Sequence, residues 1–422
     1  MTTQTRPHSP AAAEPRRNGF AVLRQRNYRL IWSGMLASST TMWMEQLAYG
    51  WLVLELTNSP FLLGFVSFCR AAPTILFSLW AGVLADRVDR KRLLMVCQVV
   101  TWGTITTLAL LTTLKIVEVW HVFLTAFVAG VSQSFNMPTR QSVVNDVVEK
   151  HDLANAIALN SLSFNVSKVI GPSVAGIIVA ALSIAAVFWS ESVIMLIAIG
   201  TTVLLTLPAR RFVPSDQSPL KDMAEGFGYV RNDPMIIGLM LAAAAPVLLA
   251  WPYQMLLPVV ARDVLGTGPG GLGILMSASG IGAIITITGM VFLGQLGRRQ
   301  VVQFVAMIGF GVFLMLFSQS SQLWLSIIII ACITGSSILY NILNQTAVQT
   351  YVPDRVRGRV MGIYMLVQGL NPIGALAFGA LAGSVGVQPT ILLMGTLTVI
   401  AASLIFWLNP VLRRAPADST GY

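Results

Sequence analysis

Long apolar runs separated by short polar turns dominate this sequence. The chain has 422 residues, of which 55% are hydrophobic and only 10% are charged, whereas soluble domains average about 25% charged residues. About 20 apolar residues in a helix cross the hydrocarbon core of a membrane, and the runs reach this length. Lipid offers the backbone no hydrogen-bond partners, so each crossing segment must be helical. The sequence therefore predicts an all-α integral membrane protein.

The apolar runs predict twelve transmembrane helices in two groups of six. They cover residues 29–56, 60–85, 93–115, 119–145, 154–181, 184–207, 235–261, 270–294, 300–319, 322–348, 358–383 and 388–409. The predicted organisation is a cytoplasmic tail (1–28), a six-helix bundle (29–207), a cytoplasmic linker (208–234), a second six-helix bundle (235–410) and a cytoplasmic tail (411–422). Glycines and prolines are expected to interrupt the spans at 270–294 and 358–383.

The linker is also predicted to contain a short helix along the cytoplasmic face. It begins after Ser218-Pro219, and its apolar residues recur every three or four positions, as one face of a helix requires. Those residues are Leu220, Met223, Phe227 and Val230.

Lysine and arginine are distributed very unevenly between the two predicted sides. If the N-terminus is cytoplasmic, the outer segments hold only Lys115 and Arg262, and the bases of the other loops and of both tails lie inside. Cytoplasmic loops carry such an excess in membrane proteins, so both termini are predicted to be cytoplasmic and the protein to lie in the cell (inner) membrane. The net charge of +10 is then a topology signal with some attraction to anionic lipid. It does not indicate a nucleic-acid partner.

The sequence offers few residues that could form a metal site, a cofactor site or a catalytic site. Cys69, Cys97 and Cys332 lie in separate apolar runs, and the chain has only three histidines. These are too few and too scattered for a typical zinc site. No phosphate-binding loop of the G-x-x-x-x-G-K-[ST] type is present. We therefore expect no metal, no cofactor and no catalytic residues.

A charged stretch between the second and third spans carries the most specific motif. It reads GVLADRVDRKRLL from Gly82 to Leu94 and resembles the loop between helices 2 and 3 of the major facilitator superfamily, G-x-x-x-D-R-x-G-R-[KR]. Asp89 stands where that family often has glycine. The bases alone are equally explained as a positive stop at the membrane boundary, but a topology signal needs no acid such as Asp86. The resemblance implies a conformational gate made of Gly82, Asp86, Arg87, Arg90 and Lys91.

The two halves repeat each other at a spacing of roughly 205 residues. Asn136 begins NMPTRQSVVNDVV and Asn341 begins NILNQTAVQTYVP, while Gly171 and Gly176 correspond to Gly374 and Gly379. Duplicated six-helix halves in the same orientation characterise the major facilitator fold. The second copy of the charged loop keeps its bases but has no acid at the position of Asp86. This asymmetry indicates that Asp86 anchors the loop, and we expect it to contact a helix N-terminus of the other half.

Four stretches resemble one branch of that superfamily, the enterobactin exporters and related drug-efflux proteins. They are LAYGWLVLELTNSP (47–60), AGVLADRVDRKRL (81–93), NMPTRQSVV (136–144) and VIGPSVAG (169–176). Gly171, Pro172 and Gly176 in the last stretch form an element that the resemblance associates with exporters. Close packing and bending of the fifth span explain these three residues equally well. The resemblance implies secondary transport without identifying the substrate.

Ionisable side chains inside the membrane are functional candidates, because each costs about 2.5–3.5 kcal/mol at the bilayer centre on insertion scales. Glu45 and Arg70 each lie about ten residues from the outer end of a span, or roughly 15 Å deep, so adjacent helices could bring them together. They form either a static ion pair or a proton-coupling site. Lys168 could neutralise Glu45 or Glu191, and Glu191 could instead lie near the interface.

A second set of polar side chains is expected to line a central substrate cavity. It comprises Gln46, Arg140, Asn165, Tyr253, Gln254, Tyr340, Asn341, Asn344 and Gln368. Neutral hydrogen-bonding and aromatic groups suit a bulky, partly apolar ligand, although each could equally bond one helix to another. Arg140 is alternatively a boundary arginine that reaches the interface.

Together these features predict a monomeric secondary transporter. Two six-helix bundles would rock around a cavity lined by spans 1, 4, 7 and 10, exporting an amphipathic drug or siderophore in exchange for protons. The expected partners are that small molecule, protons and the lipid bilayer. An importer or facilitator of a small solute or lipid remains an alternative, as does a non-transporting membrane scaffold or sensor.

Overall fold

The computed structural model describes residues 21–149, 151–207, 219–293 and 299–408. Within these ranges the chain is built from helices, and no β-strand occurs. A single 3-10 turn at Ala21–Arg24 precedes the first long helix. The helices of the first half are α1 (Arg26–Thr57), α2 (Pro60–Arg87), α3 (Arg90–Thr113), α4 (Val119–Val147), α5 (Leu153–Ala181) and α6 (Ile184–Val203). The others are α7 (Pro219–Asn232), α8 (Pro234–Leu249), α9 (Tyr253–Val259), α10 (Gly268–Leu293), α11 (Arg299–Gln319), α12 (Leu323–Tyr351), α13 (Asp354–Gln368), α14 (Asn371–Val385) and α15 (Val387–Leu408).

Ten segments of the described chain are long and apolar enough to cross a membrane. The long helices α1 and α4 are not among them, since they carry more polar side chains, Glu45 and Arg140 included. The all-α membrane class is therefore confirmed. The crossing of the membrane by twelve helices and the cytoplasmic location of both termini stay predictions.

Short side-chain caps start several of these helices immediately after tight turns. The hydroxyl of Ser59 accepts the backbone N–H of Leu62 at the start of α2, and Ser183 does the same for α6. The carboxylate of Asp233 accepts two backbone N–H groups at the start of α8. Such caps satisfy donors that the first helical turn leaves free. They allow successive helices to reverse direction within a few residues.

Two of the predicted spans are broken in the middle. The span at 235–261 was expected to be continuous, but it splits between α8 and α9, where the N–H groups of Ala250 and Trp251 both donate to the Pro246 carbonyl. Pro252 follows and has no N–H to continue the ladder. The expected interruption of 358–383 occurs at Gly369, between α13 and α14. The expected interruption of 270–294 does not occur, because α10 is continuous.

Helices α1–α6 pack into one bundle and α8–α15 into a second. We call the side where α1 begins and α15 ends the termini face, and the side where α1 ends the loop face. The bundles meet along two helix pairs, α5 with α10 and α2 with α14. Both pairs pack closely from the middle of the protein toward the loop face.

Glycines allow these close contacts, and they follow the sequence repeat. A Cβ on Gly171 would lie 2.8 Å from Trp43 Cβ on α1, and one on Gly374 would lie 2.2 Å from the Leu248 carbonyl oxygen on α8. The second glycine of each pair packs across the bundles: a Cβ on Gly176 would meet α10 at 2.9 Å, and one on Gly379 would meet α2 at 3.0 Å. The first glycine of each pair therefore packs against a helix of its own bundle, and the second packs against a helix of the other bundle.

Helix α7 confirms the short helix predicted in the linker. It packs against α13, where Arg359 Nη1 lies 2.6 Å from Glu225 Oε2. The expected apolar face is only partly correct, because Val230 is half-buried against α8 and α13 while Phe227 is 51% exposed. The side chains of Leu220 and Met223 lie outside the described residues.

Candidate functional site

A cavity of about 390 Å³ lies between the two bundles. On α1 its lining residues Met42, Gln46, Tyr49 and Gly50 recur at helical spacing, so they share one face. From the second bundle it is lined by both helix breaks, through Trp251, Pro252, Gln254 and Met255 at the first and Asn371 at the second. Irregular backbone within a membrane is tolerated where it lines a cavity, and the placement of these breaks is consistent with that rule.

Glu45 and Arg70 form a direct ion pair beside this cavity. Arg70 Nη2 donates to Glu45 Oε2 at 2.7 Å. The two side chains are unequally exposed, at 30% for Arg70 and 3% for Glu45. Arg70 also lies over the ring of Tyr49, with its Cζ 5.7 Å from the ring centroid. The arginine therefore faces the cavity, and the glutamate lies behind it.

Glu191 on α6 completes an electrostatically linked group. It is completely buried, and neither of its carboxyl oxygens has a hydrogen-bond partner among the described residues. The charges of Glu45 and Arg70 both act on it. One turn earlier, Phe188 packs edge-on against Tyr49 at 6.2 Å between centroids. Glu191 therefore lies in the interior of the first bundle, and its depth relative to the membrane interface stays a prediction.

Lys168 on α5 lies apart from this group. It is buried, and its Nζ lies 5.4 Å from the centroid of the Trp43 ring on α1. Trp43 in turn packs edge-on against Phe164, one turn before Lys168. No carboxylate of the described chain lies within ion-pair distance of Lys168. The expected neutralisation of Glu45 or Glu191 by Lys168 is therefore not seen.

Several residues expected to line the central cavity lie elsewhere. Arg140 contributes to a separate small space inside the first bundle, next to Gln98 of α3. Asn344, at the corresponding place in the second bundle, accepts a hydrogen bond from Gln303 at 2.8 Å and donates to the Leu239 carbonyl at 3.1 Å. It therefore ties α12 to α11 and α8, which is the structural alternative that the sequence had left open.

The remaining members of the expected set divide in the same way. Gln46 and Gln254 lie on the cavity wall. Tyr253 and Tyr340 are buried behind it against Phe310, and Asn165 donates to a carbonyl of its own helix. Asn341 and Gln368 are half-buried and do not belong to its lining. Sequence reasoning missed Met42, Tyr49, Gln133, Met255 and Met276 in that lining. The helical spacing of Met42 and Tyr49 from Gln46 was a usable signal for the first two.

The charged loop after α2 holds helix ends together. Asp89, the departure from the family pattern, caps α3 by accepting the N–H of Arg92 at 3.0 Å. Lys91 Nζ donates to the carbonyls of Val203 and Leu205 at 2.7 and 2.6 Å, so a cation meets the C-terminal end of α6, as the helix dipole favours. Arg90 pairs with Asp146 of α4 at 2.6 Å. Three residues of the predicted gate, Gly82, Asp86 and Arg87, are outside what the structure describes beyond their helical backbone.

No group of histidine, cysteine, aspartate and glutamate residues in the described ranges is arranged to hold a metal ion. The site is therefore a cavity between two helical bundles, with an arginine at its wall and two buried carboxyls behind it.

A family model described as "Transmembrane secretion effector", of the major facilitator type, matches residues 17–420. The chain belongs to this family. Its members are transporters, so the chain is a transporter and not an enzyme. The resemblance to the exporter branch of the major facilitator superfamily is confirmed.

Individual relatives agree with this assignment. The transporter is 27% identical over 386 residues to the staphyloferrin A transporter of Staphylococcus aureus (strain NCTC 8325 / PS 47), covering 88% of this chain and 93% of that protein. It is 24% identical over 391 residues to macrolide efflux protein A of Streptococcus pyogenes, covering 90% and 95%. A crystal structure of the nucleoside transporter NupG shares the fold with a TM-score of 0.71 at 14% identity, covering 92% of this chain and 98% of that one.

In this transporter the loop face is closed above the cavity. Arg262, in the middle of a π-helical turn (Val260–Val264) that follows α9, donates to the Leu54 carbonyl at 3.3 Å and to Asn58 Oδ1 at 2.6 Å. Both acceptors belong to the C-terminal end of α1, so a cation again meets a helix C-terminus. Ser173 of α5 and Ser277 of α10 are hydrogen-bonded at 2.6 Å farther down. These contacts join the two bundles on that side.

Proposed function

We propose that this transporter is a proton-coupled exporter of an amphipathic small molecule of the drug or siderophore class, working by alternating access in the cell (inner) membrane. The observation that carries the proposal is the cavity between the bundles, closed on the loop face and flanked by the buried Glu45–Arg70–Glu191 group. Buried titratable groups beside a substrate cavity are what coupling of substrate and proton requires. The name of the macrolide efflux relative supports the outward direction.

In this proposal twelve helices span the membrane, with α8 joined to α9 and α13 joined to α14 as single crossings. The excess of bases on the termini face supports a cytoplasmic location for that face. The cavity would then be closed toward the outside, which corresponds to the inward-facing state. Substrate would enter from the cytoplasm, and breaking of the loop-face contacts would release it outside.

Glu45 is the proposed proton carrier. Its carboxylate is shielded from the cavity and held by Arg70, and Glu191 lies within reach of the same charges. One inward charge at 100 mV supplies about 2.3 kcal/mol, roughly a fifty-fold concentration ratio. Nucleotide hydrolysis is therefore unnecessary. Asp86 is the proposed gate anchor, expected to hold the first bundle against a helix N-terminus of the second in the outward-open form.

Everted membrane vesicles that contain the protein test this function. Imposing a proton gradient, acid inside, should drive uptake of a siderophore or drug from an efflux panel. Vesicles that carry Glu45→Gln provide the matched control, since that change removes the proton site and keeps the shape of the side chain. Uptake that persists after addition of an uncoupler contradicts proton exchange. Movement of substrate out of the vesicles instead of into them favours an importer. Absence of transport across the panel favours a scaffold or sensor.

A further inference from the structure

The lining of the central cavity is polar but carries a single formal charge. Its polar side chains include Gln46, Gln133, Gln254 and Asn371, which are neutral amides. Arg70 is the only charged residue of the lining among the described residues. A ligand in this cavity therefore meets neutral hydrogen-bonding groups and one guanidinium.

Arg70 has donors left over for a ligand. A guanidinium carries five N–H groups, and one nitrogen, Nη2, is bonded to Glu45. The contact with Tyr49 is made by the face of the guanidinium and uses no N–H. With 30% of its side chain exposed, Arg70 presents unused N–H groups to the cavity.

The opposite wall adds neutral donors. Gln254 near the start of α9 and Asn371 at the start of α14 both belong to the lining. A primary amide carries two N–H donors besides its carbonyl oxygen. A bound anion would therefore find a guanidinium on the first bundle and amide donors on the second.

A cationic ligand would meet the reverse situation. Glu45 is 3% exposed and already bonded to Arg70, and Glu191 is fully buried on α6 and is not part of the lining. The described lining offers no carboxylate as a counter-ion, while Arg70 would repel a positive charge. Like charges brought together in a desolvated site are costly.

From this arrangement we propose that the substrate carries an anionic group, such as a carboxylate, that binds Arg70 at the cavity wall. The inference rests on the proposed transport function and names its substrate class. The membrane potential suits such a substrate, because an anion leaving a negative interior is driven outward about fifty-fold per charge at 100 mV. An outgoing anion and an incoming proton move charge in the same electrical direction, so the potential favours both halves of the exchange.

Three matched fluorescent probes test the proposal on the purified full-length protein in detergent. Dansylglycine is an anion, dansylglycinamide is neutral and dansyl-ethylenediamine is a cation, and all three share one aromatic group. We expect dansylglycine to bind about tenfold to a hundredfold more tightly than the amide, the range of a hydrogen bond to a charged group. The cation should bind most weakly.

Variants assign the preference to Arg70. Arg70→Gln should bring the ratio between anion and amide close to one. The double variant Glu45→Gln/Arg70→Gln should do the same without leaving a buried carboxylate unpaired, so it remains informative if the single variant does not fold. Thr107→Val on α3, outside the cavity lining and with its hydroxyl bonded to the Gly103 carbonyl of its own helix, is the control and should keep the full preference.

The proposal is overturned if the amide or the cation binds as tightly as the anion, if none of the probes binds at millimolar concentration, or if the double variant keeps the preference for the anion. The binding assay needs no gradient and no vesicle. A clear anion preference without export in vesicles would refute the transport proposal alone, while proton-driven export together with a preference for the cation would refute this inference alone.

Discussion

Replacement of Gly273 by alanine should weaken the closure of the loop face. Gly273 lies on α10 against α5, and a Cβ added there would approach the Pro172 carbonyl oxygen to 2.6 Å and Gly176 Cα to 3.0 Å. Ordinary van der Waals contact begins near 3.4 Å, so the oxygen is about 0.8 Å too close. Both neighbours are backbone atoms, and no rotation of a side chain can relieve the contact.

The expected cost follows from this geometry. Overpacking of a well-packed interface costs about 1–3 kcal/mol, and here the cost falls on the closed state, in which α5 and α10 touch. The ratio of closed to open molecules should therefore fall about fivefold to 150-fold. Gly289→Ala on the same helix is the matched control, because its Cβ would meet nothing within 4 Å. Both changes gain the same intrinsic helix propensity of about 1 kcal/mol, so the difference between them isolates the contact.

Disulfide crosslinking measures the closed fraction. Ser173 Oγ and Ser277 Oγ lie 2.6 Å apart across the two bundles, so cysteines at these positions should crosslink rapidly when the loop face is closed. The native cysteines Cys69, Cys97 and Cys332 are first replaced. Crosslinking should be slower with Gly273→Ala than with Gly289→Ala, and the closed-to-open ratio calculated from the two closed fractions should differ by about fivefold or more. Equal rates in the two variants would refute the assignment of this glycine to closure of the loop face.

Three further predictions concern the charged side chains. Arg70→Met should lower the free energy of unfolding by about 3–5 kcal/mol, because it leaves Glu45 unpaired and buried. The double variant Glu45→Gln/Arg70→Met should restore most of that loss. Unfolding temperatures of both variants in detergent test this prediction. Arg262→Ala removes the contact to the end of α1 and should slow the disulfide crosslink between cysteines at Ser173 and Ser277 relative to the native arginine; an unchanged rate would mean that the bond does not stabilise the closed loop face. Lys91→Ala should cost about 0.3–1 kcal/mol by removing the cation at the end of α6, and Lys91→Arg should retain most of it, as measured by thermal unfolding.

Much of this architecture could be predicted from sequence because hydropathy reports depth directly. Each predicted span coincides with a helix or a pair of helices, and the depths of Glu45 and Arg70 allowed their contact to be anticipated. The repeat also located the glycines that pack on corresponding helices. These features are local in sequence or depend only on distance along a helix axis.

The helix breaks were harder to locate. Pro246 and Pro252 interrupt one predicted span, whereas the many glycines of α10 interrupt nothing. Glycine in a helix costs about 1 kcal/mol relative to alanine, and on α10 close contacts with α5 offset that cost. Whether a glycine breaks a helix or packs against a neighbour depends on the neighbour, which a single sequence does not show.

Hydropathy and residue order were enough to identify the membrane class, to locate the helices and to find the buried charges. Which polar residues face the cavity depends on the tertiary structure: Gln254 lines it, whereas Asn344 is bonded to Gln303 inside the second bundle. Both residues lie in long apolar runs of the sequence, and hydropathy does not distinguish the directions of their side chains. The rotation of each helix about its axis is set by its packing against the neighbouring helices. That packing brings Arg70 to the cavity wall and leaves Glu45 behind it.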